Sequence, residues 1–135
     1  MAATGNGATI VFGTSGFTAS YNRIGGTGMG RESLDVSHLG TSDYMAFQPA
    51  DLVDGGEFSC EFHWDQSAST FPPITAASET VTVTYPLKSG EATAATLSGS
   101  GFLTGSTGPD LVNGEIMSGE YTVKWGGQPT YTAGA

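Results

Sequence analysis

The segment Glu57–Asp65, EFSCEFHWD, alternates without a break. Phe58, Cys60, Phe62 and Trp64 fall on one side. Glu57, Ser59, Glu61, His63 and Asp65 fall on the other. Successive side chains in a β-strand point to opposite faces, so this period of two predicts a half-buried strand. The pattern recurs at Glu79–Tyr85 (ETVTVTY), where Val81, Val83 and Tyr85 oppose Thr80, Thr82 and Thr84, and Pro86 stops the run. It recurs at Glu115–Trp125, where Met117, Tyr121, Val123 and Trp125 oppose Ser118, Glu120, Thr122 and Lys124. The expected core is therefore Phe58, Phe62, Trp64, Val81, Val83, Tyr85, Tyr121, Val123 and Trp125.

The remaining segments are weaker. Ala8–Phe12 reads as a short strand. Phe17–Ile24 is a β-rich run ended by Gly25-Gly26, and Met29–Val36 is a candidate to pair with it. Ala92–Leu103 reads as a long strand of small residues, while Ser67–Ser78 and Ser106–Gly114 read as connections. Residues 1–8 lack any pattern and read as a flexible arm. Ser37–Gly55 has no sustained period, with room for one helical turn at Asp51–Asp54. A loop of that length is uncommon in a compact domain unless it has a task. No window shows helical periodicity. About six strands, each with one apolar face, predict two packed sheets. The chain reads as one domain over 1–135, all-β or β with one short helix, built as a two-sheet β-sandwich.

Composition agrees and excludes some functions. Charged residues are 13% of the 135, against about 25% in an average soluble protein. The net charge is −9 with four basic residues, Arg23, Arg31, Lys88 and Lys124. Nucleic-acid binders neutralise phosphates with Lys and Arg, and this chain has too few. The single cysteine, Cys60, precludes an intrachain disulfide and fits a reducing compartment. The opening MAATGNGATI has neither a basic start nor an apolar run, so no secretory signal is read there. No stretch approaches the roughly 18 apolar residues of a membrane helix.

Nothing in the pattern points to an enzyme. Glu61, His63 and Asp65 share one side of a strand, but same-side neighbours stand about 7 Å apart. That is too wide for one ion without further ligands, so neither a metal nor another cofactor is expected. Asp51, Asp54 and Glu57 around Gly55-Gly56 do not match a calcium loop. Asp35 and Ser37 flank His38 in sequence, which does not make a catalytic triad. There is no G-x-S-x-G elbow and no phosphate loop. GGTGMG at Gly25–Gly30 reads as a hairpin turn. Cys60 falls on the apolar face and reads as a core residue.

From about Arg31 to Thr130, the order of segments resembles the tail tube proteins of long-tailed bacteriophages. RESLDVSHLGTSDYMAFQPADLVDGGEFSCEFHW resembles their strand, DVT or DVS turn, long loop, DGG corner and alternating strand. ETVTVTYPLKSGEATAATLSGSGFLTG resembles their paired strands with an apolar and Pro hinge. GEIMSGEYTVKWGGQPTYT resembles their closing strand and tail. Relatives carry a helix where this chain has SASTFPPITAAS, so the helix here is expected to be short or missing.

The resemblance implies a virion structural protein whose sheet joins neighbouring subunits into hexameric rings. The rings stack into a hollow tube that conducts double-stranded DNA without binding it specifically. The implied partners are further copies of the chain, a tape-measure protein and the tail's terminator and tip proteins. The implied location is the phage tail, after assembly in the host cytoplasm. The type VI secretion tube protein is similar in fold. In such a tube, acidic side chains facing the channel repel phosphate. Glu57, Ser59, Glu61, His63, Asp65 and Glu120 are the candidates for that face. The long loop, through Asp43, Tyr44, Met45, Phe47, Asp51 and Asp54, is the candidate for contacts between rings. The competing reading is a β-sandwich that binds carbohydrate or a surface. It would need outward-facing aromatics, whereas Trp64 and Trp125 share faces with apolar residues.

Overall fold

The computed structural model describes residues 4–40, 42–65, 67 and 71–135. Residues 1–3 of the expected N-terminal arm, Thr41 of the long loop, and Gln66 and 68–70 near the first proline-rich connection lie outside them. The strands are β1 (Thr9–Phe12), β2 (Ser20–Ile24), β3 (Gly30–Asp35), β4 (Phe47–Asp54), β5 (Glu57–His63), β6 (Glu79–Thr84), β7 (Thr96–Thr107), β8 (Ser118–Trp125) and β9 (Thr130–Thr132). Among the described residues there is no helix.

The strands form two antiparallel sheets. One has seven strands, ordered β1-β6-β7-β8-β5-β2 with β9 also on β7; the other is the β3–β4 hairpin. Two packed layers arise within the larger sheet. Strand β7 pairs with β6 over Thr96–Gly101 and with β8 over Gly101–Thr107, with a register shift between Leu103 and Gly105. A strand shared this way carries the chain from one layer to the other. Ring contacts between distant strands show that the sheet folds back on itself. Strands β1 and β8 stand three places apart in the sheet, about 14 Å if it were flat. Yet Phe12 and Tyr121 have ring centroids 5.9 Å apart. Phe17, just after β1, stands 5.8 Å from both Phe62 and Tyr121.

The core is the inward row of each alternating strand. Ile10, Phe12, Phe17, Phe58, Cys60, Phe62, Val81, Val83, Leu103, Tyr121, Val123 and Trp125 are buried and contiguous. Of the expected core residues, Tyr85 stands outside the core and Trp64 packs against its edge. Tyr85 is 39% exposed, because β6 ends at Thr84 and leaves Tyr85 against Tyr131 at a centroid distance of 5.7 Å. Trp64, one residue past β5, is half-buried between Phe62 and Phe71. Other boundaries moved too. Strand β3 pairs with β4 rather than with β2, and β2 pairs with β5. Asp51–Asp54 is strand, not a helical turn.

Glu79 is a buried carboxylate at the start of β6. Its Oε1 accepts hydrogen bonds from the backbone N–H of Thr14 (3.1 Å) and Ser15 (2.9 Å) and from Ser15 Oγ (3.0 Å). These bonds fasten the turn after β1 and so hold Phe12 and Phe17 over the core. Burial raises its pKa, but the three hydrogen bonds outweigh that and hold it below the ordinary carboxylate value. The stabilisation is therefore fully present above the unfolded-state pKa and is lost as pH falls through the lower folded-state value. Glu79→Gln is expected to cost about 1–3 kcal/mol at neutral pH. In urea titrations across pH, the gap between wild type and variant should narrow as pH falls below about 4. A constant gap would contradict this role.

Candidate assembly surfaces

Two surfaces carry the residues singled out by the sequence. The first is the β3–β4 hairpin, which forms an arm. Its register runs from Gly30↔Asp54 to Asp35↔Phe47 with one irregularity after Arg31. Every residue of β3 and β4 is exposed except Ala50, which is half-buried. Leu52 is 85% exposed and Phe47 55%. At the tip, Tyr44 is 86% exposed, with Met45 and Leu39 also exposed. The tip is nonetheless ordered by its own hydrogen bonds. Ser37 N–H donates to Asp35 Oδ1 (2.8 Å), Ala46 N–H to Ser37 Oγ (2.7 Å) and Val36 N–H to Ala46 O (2.9 Å). Asp43 adopts φ +69°, and Tyr44 N–H closes a tight turn onto Ser42 O at 2.8 Å. The structure thus places Asp43, Tyr44 and Met45 at the tip, Phe47 and Asp51 along β4, and Asp54 at the root.

The second surface is the outward face of β5 and its neighbours. Glu57, Ser59, Glu61 and His63 lie on it, with Glu120 directly opposite Glu61 on β8. Asp65 lies two residues past β5. Two of the four bases join this face, Lys124 as the alternation of β8 predicts and Arg23 beyond what the sequence showed. Lys124 stands opposite Glu57, and Arg23 of β2 stands opposite Glu61. Pairing across strands sets them beside these carboxylates. The face remains acidic on balance, and the Glu61–Glu120 pair sets like charges directly opposite each other, an unfavourable arrangement. Asn22 Nδ2 donates to Glu61 Oε1 at 3.3 Å. Among the described residues, no group of three His, Cys, Asp or Glu side chains is placed to hold a metal ion.

The inward side offers little reactivity. The Tyr21 and Tyr121 hydroxyls are 2.6 Å apart, and burial pushes Tyr21 up to about 12 and Tyr121 up as well. Cys60 is 1% exposed, and burial pushes its thiol up to about 12, so it stays protonated at neutral pH. Trp125 is buried and donates from Nε1 to Thr27 Oγ1 at 3.2 Å, which removes it from any exposed aromatic platform. Among the described residues no helix is long and apolar enough to cross a membrane.

With this geometry in hand, comparison with known proteins finds the fold and not the sequence. No protein-family model matches the chain, and no curated protein matches it significantly. Solved structures do. A chain in the extended-state sheath/tube terminator of an extracellular contractile injection system superposes with TM-score 0.75 at 11% identity, covering 98% of both chains. A chain in the virion of a native gene transfer agent particle gives TM-score 0.68 at 13% identity, over 98% of this chain and 100% of that one. Hcp1 from Flavobacterium johnsoniae gives 0.57 at 12% identity, over 93% and 98%. The chain shares its fold with all three, the tube terminator chain among them.

The arm's apolar side chains contact little of their own subunit, so they contribute little to its stability. Phe47→Ser and Leu52→Ser are expected to change unfolding free energy by less than about 0.5 kcal/mol. Phe62→Ala, at a position 0% exposed, is expected to cost about 3–5 kcal/mol. Chemical denaturation of the three variants checks the contrast.

Proposed function

We propose that the chain is a virion structural protein, the tail-tube subunit of a long-tailed phage. Copies close into rings, six to a ring by the family resemblance, and rings stack into a hollow tube that passes double-stranded DNA. One observation carries this reading. A two-stranded hairpin alone is marginal in water, yet this one projects from the body with Tyr44, Met45, Phe47, Leu52 and Val53 exposed. Exposed apolar clusters of this kind mark protein–protein contacts. On a fold shared with tube and terminator chains, the partner it fits is another copy of itself.

The tip and β4, with Asp43, Tyr44, Met45, Phe47, Asp51 and Asp54, supply contacts between rings in this reading. The face with Glu57, Ser59, Glu61, His63, Asp65 and Glu120 lines the channel. Its excess of carboxylates over Arg23 and Lys124 keeps phosphate from binding. Free sheet edges, which otherwise invite aggregation, are used up by ring closure. The tube meets a tape-measure protein within and terminator and tip proteins at its ends. It assembles in the host cytoplasm and is carried in the tail.

Negative-stain microscopy of the concentrated protein tests the proposal. Rings or long hollow tubes are expected from the wild type, and dispersed, folded subunits from Phe47→Ser and Leu52→Ser. A wild type that stays monomeric at high concentration and binds glycans would overturn it in favour of a carbohydrate-binding module.

A further inference from the structure

Three chain segments meet where the arm leaves the body. They are the stretch before β3, the β4–β5 corner and the end of β8. The corner is glycine on both sides of the crossing. Gly56 stands at φ +83°, and any side chain there would collide with the Gly28 carbonyl. A side chain on Gly55 would collide with the Gly127 carbonyl. Gly25, Gly26 and Gly28 precede β3. Glycine leaves the backbone its widest freedom, so this corner sets no angle through side-chain bulk of its own.

Two fastenings cross the corner instead. Trp125, fixed in the core, donates from its backbone N–H to Gly56 O (3.0 Å) and from Nε1 to Thr27 Oγ1 (3.2 Å). The first bond holds the corner on the leaving side; the second, with Gly25 N–H donating to Ser59 O (2.6 Å), holds the stretch entering the arm. On the strand leaving it, Lys124 Nζ donates to Asp54 Oδ1 (2.9 Å) and Oδ2 (3.1 Å). Asp54 Oδ1 also accepts from Gly56 N–H (2.8 Å). This is the one salt bridge among the described residues, and it joins the last residue of β4 to the outward face of β8. The Lys124 side chain is 32% exposed and the Asp54 side chain 60%. A pair so exposed biases an equilibrium modestly, by at most about fivefold.

We propose that Asp54 and Lys124 are positioning residues that hold the β3–β4 arm at one angle before a second copy of the chain meets it. The proposal rests on the arm being the contact between copies. An arm already at its docking angle loses less freedom on binding. Because every subunit of a tube docks an arm, a small bias in each is multiplied along the assembly. High salt loosens the pair, since exposed charges are screened.

The test reads the arm in dispersed subunits. Spin labels on Ser42→Cys at the tip and Ser78→Cys on the body report the distance distribution between them. Cys60 stays unlabelled because it is buried. A single narrow distance is expected for the parent protein. Lys124→Glu, which repels Asp54 but leaves the Gly56 bond in place, should broaden it and lower the parent distance's population by up to about fivefold. High salt should broaden the parent in the same way. The swap Asp54→Lys with Lys124→Asp, which restores the ion pair but not the Gly56 bond, should recover much of the parent distance's population. An unchanged denaturation midpoint shows that the body stays folded. A distribution already broad in the parent, or unmoved by Lys124→Glu, overturns the proposal. So does a Lys124→Glu variant with a loosened arm that builds tubes as fast as the parent, with the reading of the arm as the contact left standing. If distances respond as expected but even the parent never assembles, that reading fails instead.

Discussion

Phe12 and Phe17 close over Phe62 and Tyr121, and the rest of the structure depends on that contact. It turns one continuous sheet into two layers, because the strand that bears Phe12 lies three places from β8 in the sheet and at ring-contact distance in space. The bend is made by β7, which gives half its length to each layer. Glu79 secures the closure by accepting three hydrogen bonds from the turn between the two phenylalanines. None of the core residues, nor of those packed against them, lies on β3 or β4.

This division explains where apolar surface is found. Inside the body it is consumed by the alternating strands. Outside, much of it lies on the arm, whose backbone is ordered by its own turns and pairing, and a further group stands at Leu111, Val112 and Ile116. The outward face of β5 and β8 keeps a surplus of carboxylates although Arg23 and Lys124 join it. Lys124 is partly committed there to Asp54, which ties the charge balance of that face to the root of the arm.

Legibility in the sequence followed burial. Strands β5, β6 and β8 each have one buried face, so their alternation was plain and placed Phe58, Phe62, Val81, Tyr121 and Val123 inside. Strand β4, FQPADLVD, is exposed on both faces. With no face to bury, it needs no period of two, and it reads as unpatterned loop. The same reason hid the β3–β4 pairing, since register is written by a buried face. Tyr85 continued the alternation of β6 past the point where Pro86 ends the strand. Glu79 gave no signal, because its partners lie 64 and 65 residues away. The pairings of Lys124 with Glu57 and of Arg23 with Glu61 were invisible for a similar reason: cross-strand neighbours are distant in sequence.

Amide hydrogen exchange across β3, β4 and the tip between them tests the central claim most directly. In dispersed subunits these amides are expected to exchange quickly, since they belong to a two-stranded arm in water, while those of β5 and β8 stay protected. In assembled tubes the same arm amides are expected to become protected to the level of the core. Arm amides that exchange as fast in tubes as in free subunits would contradict the account.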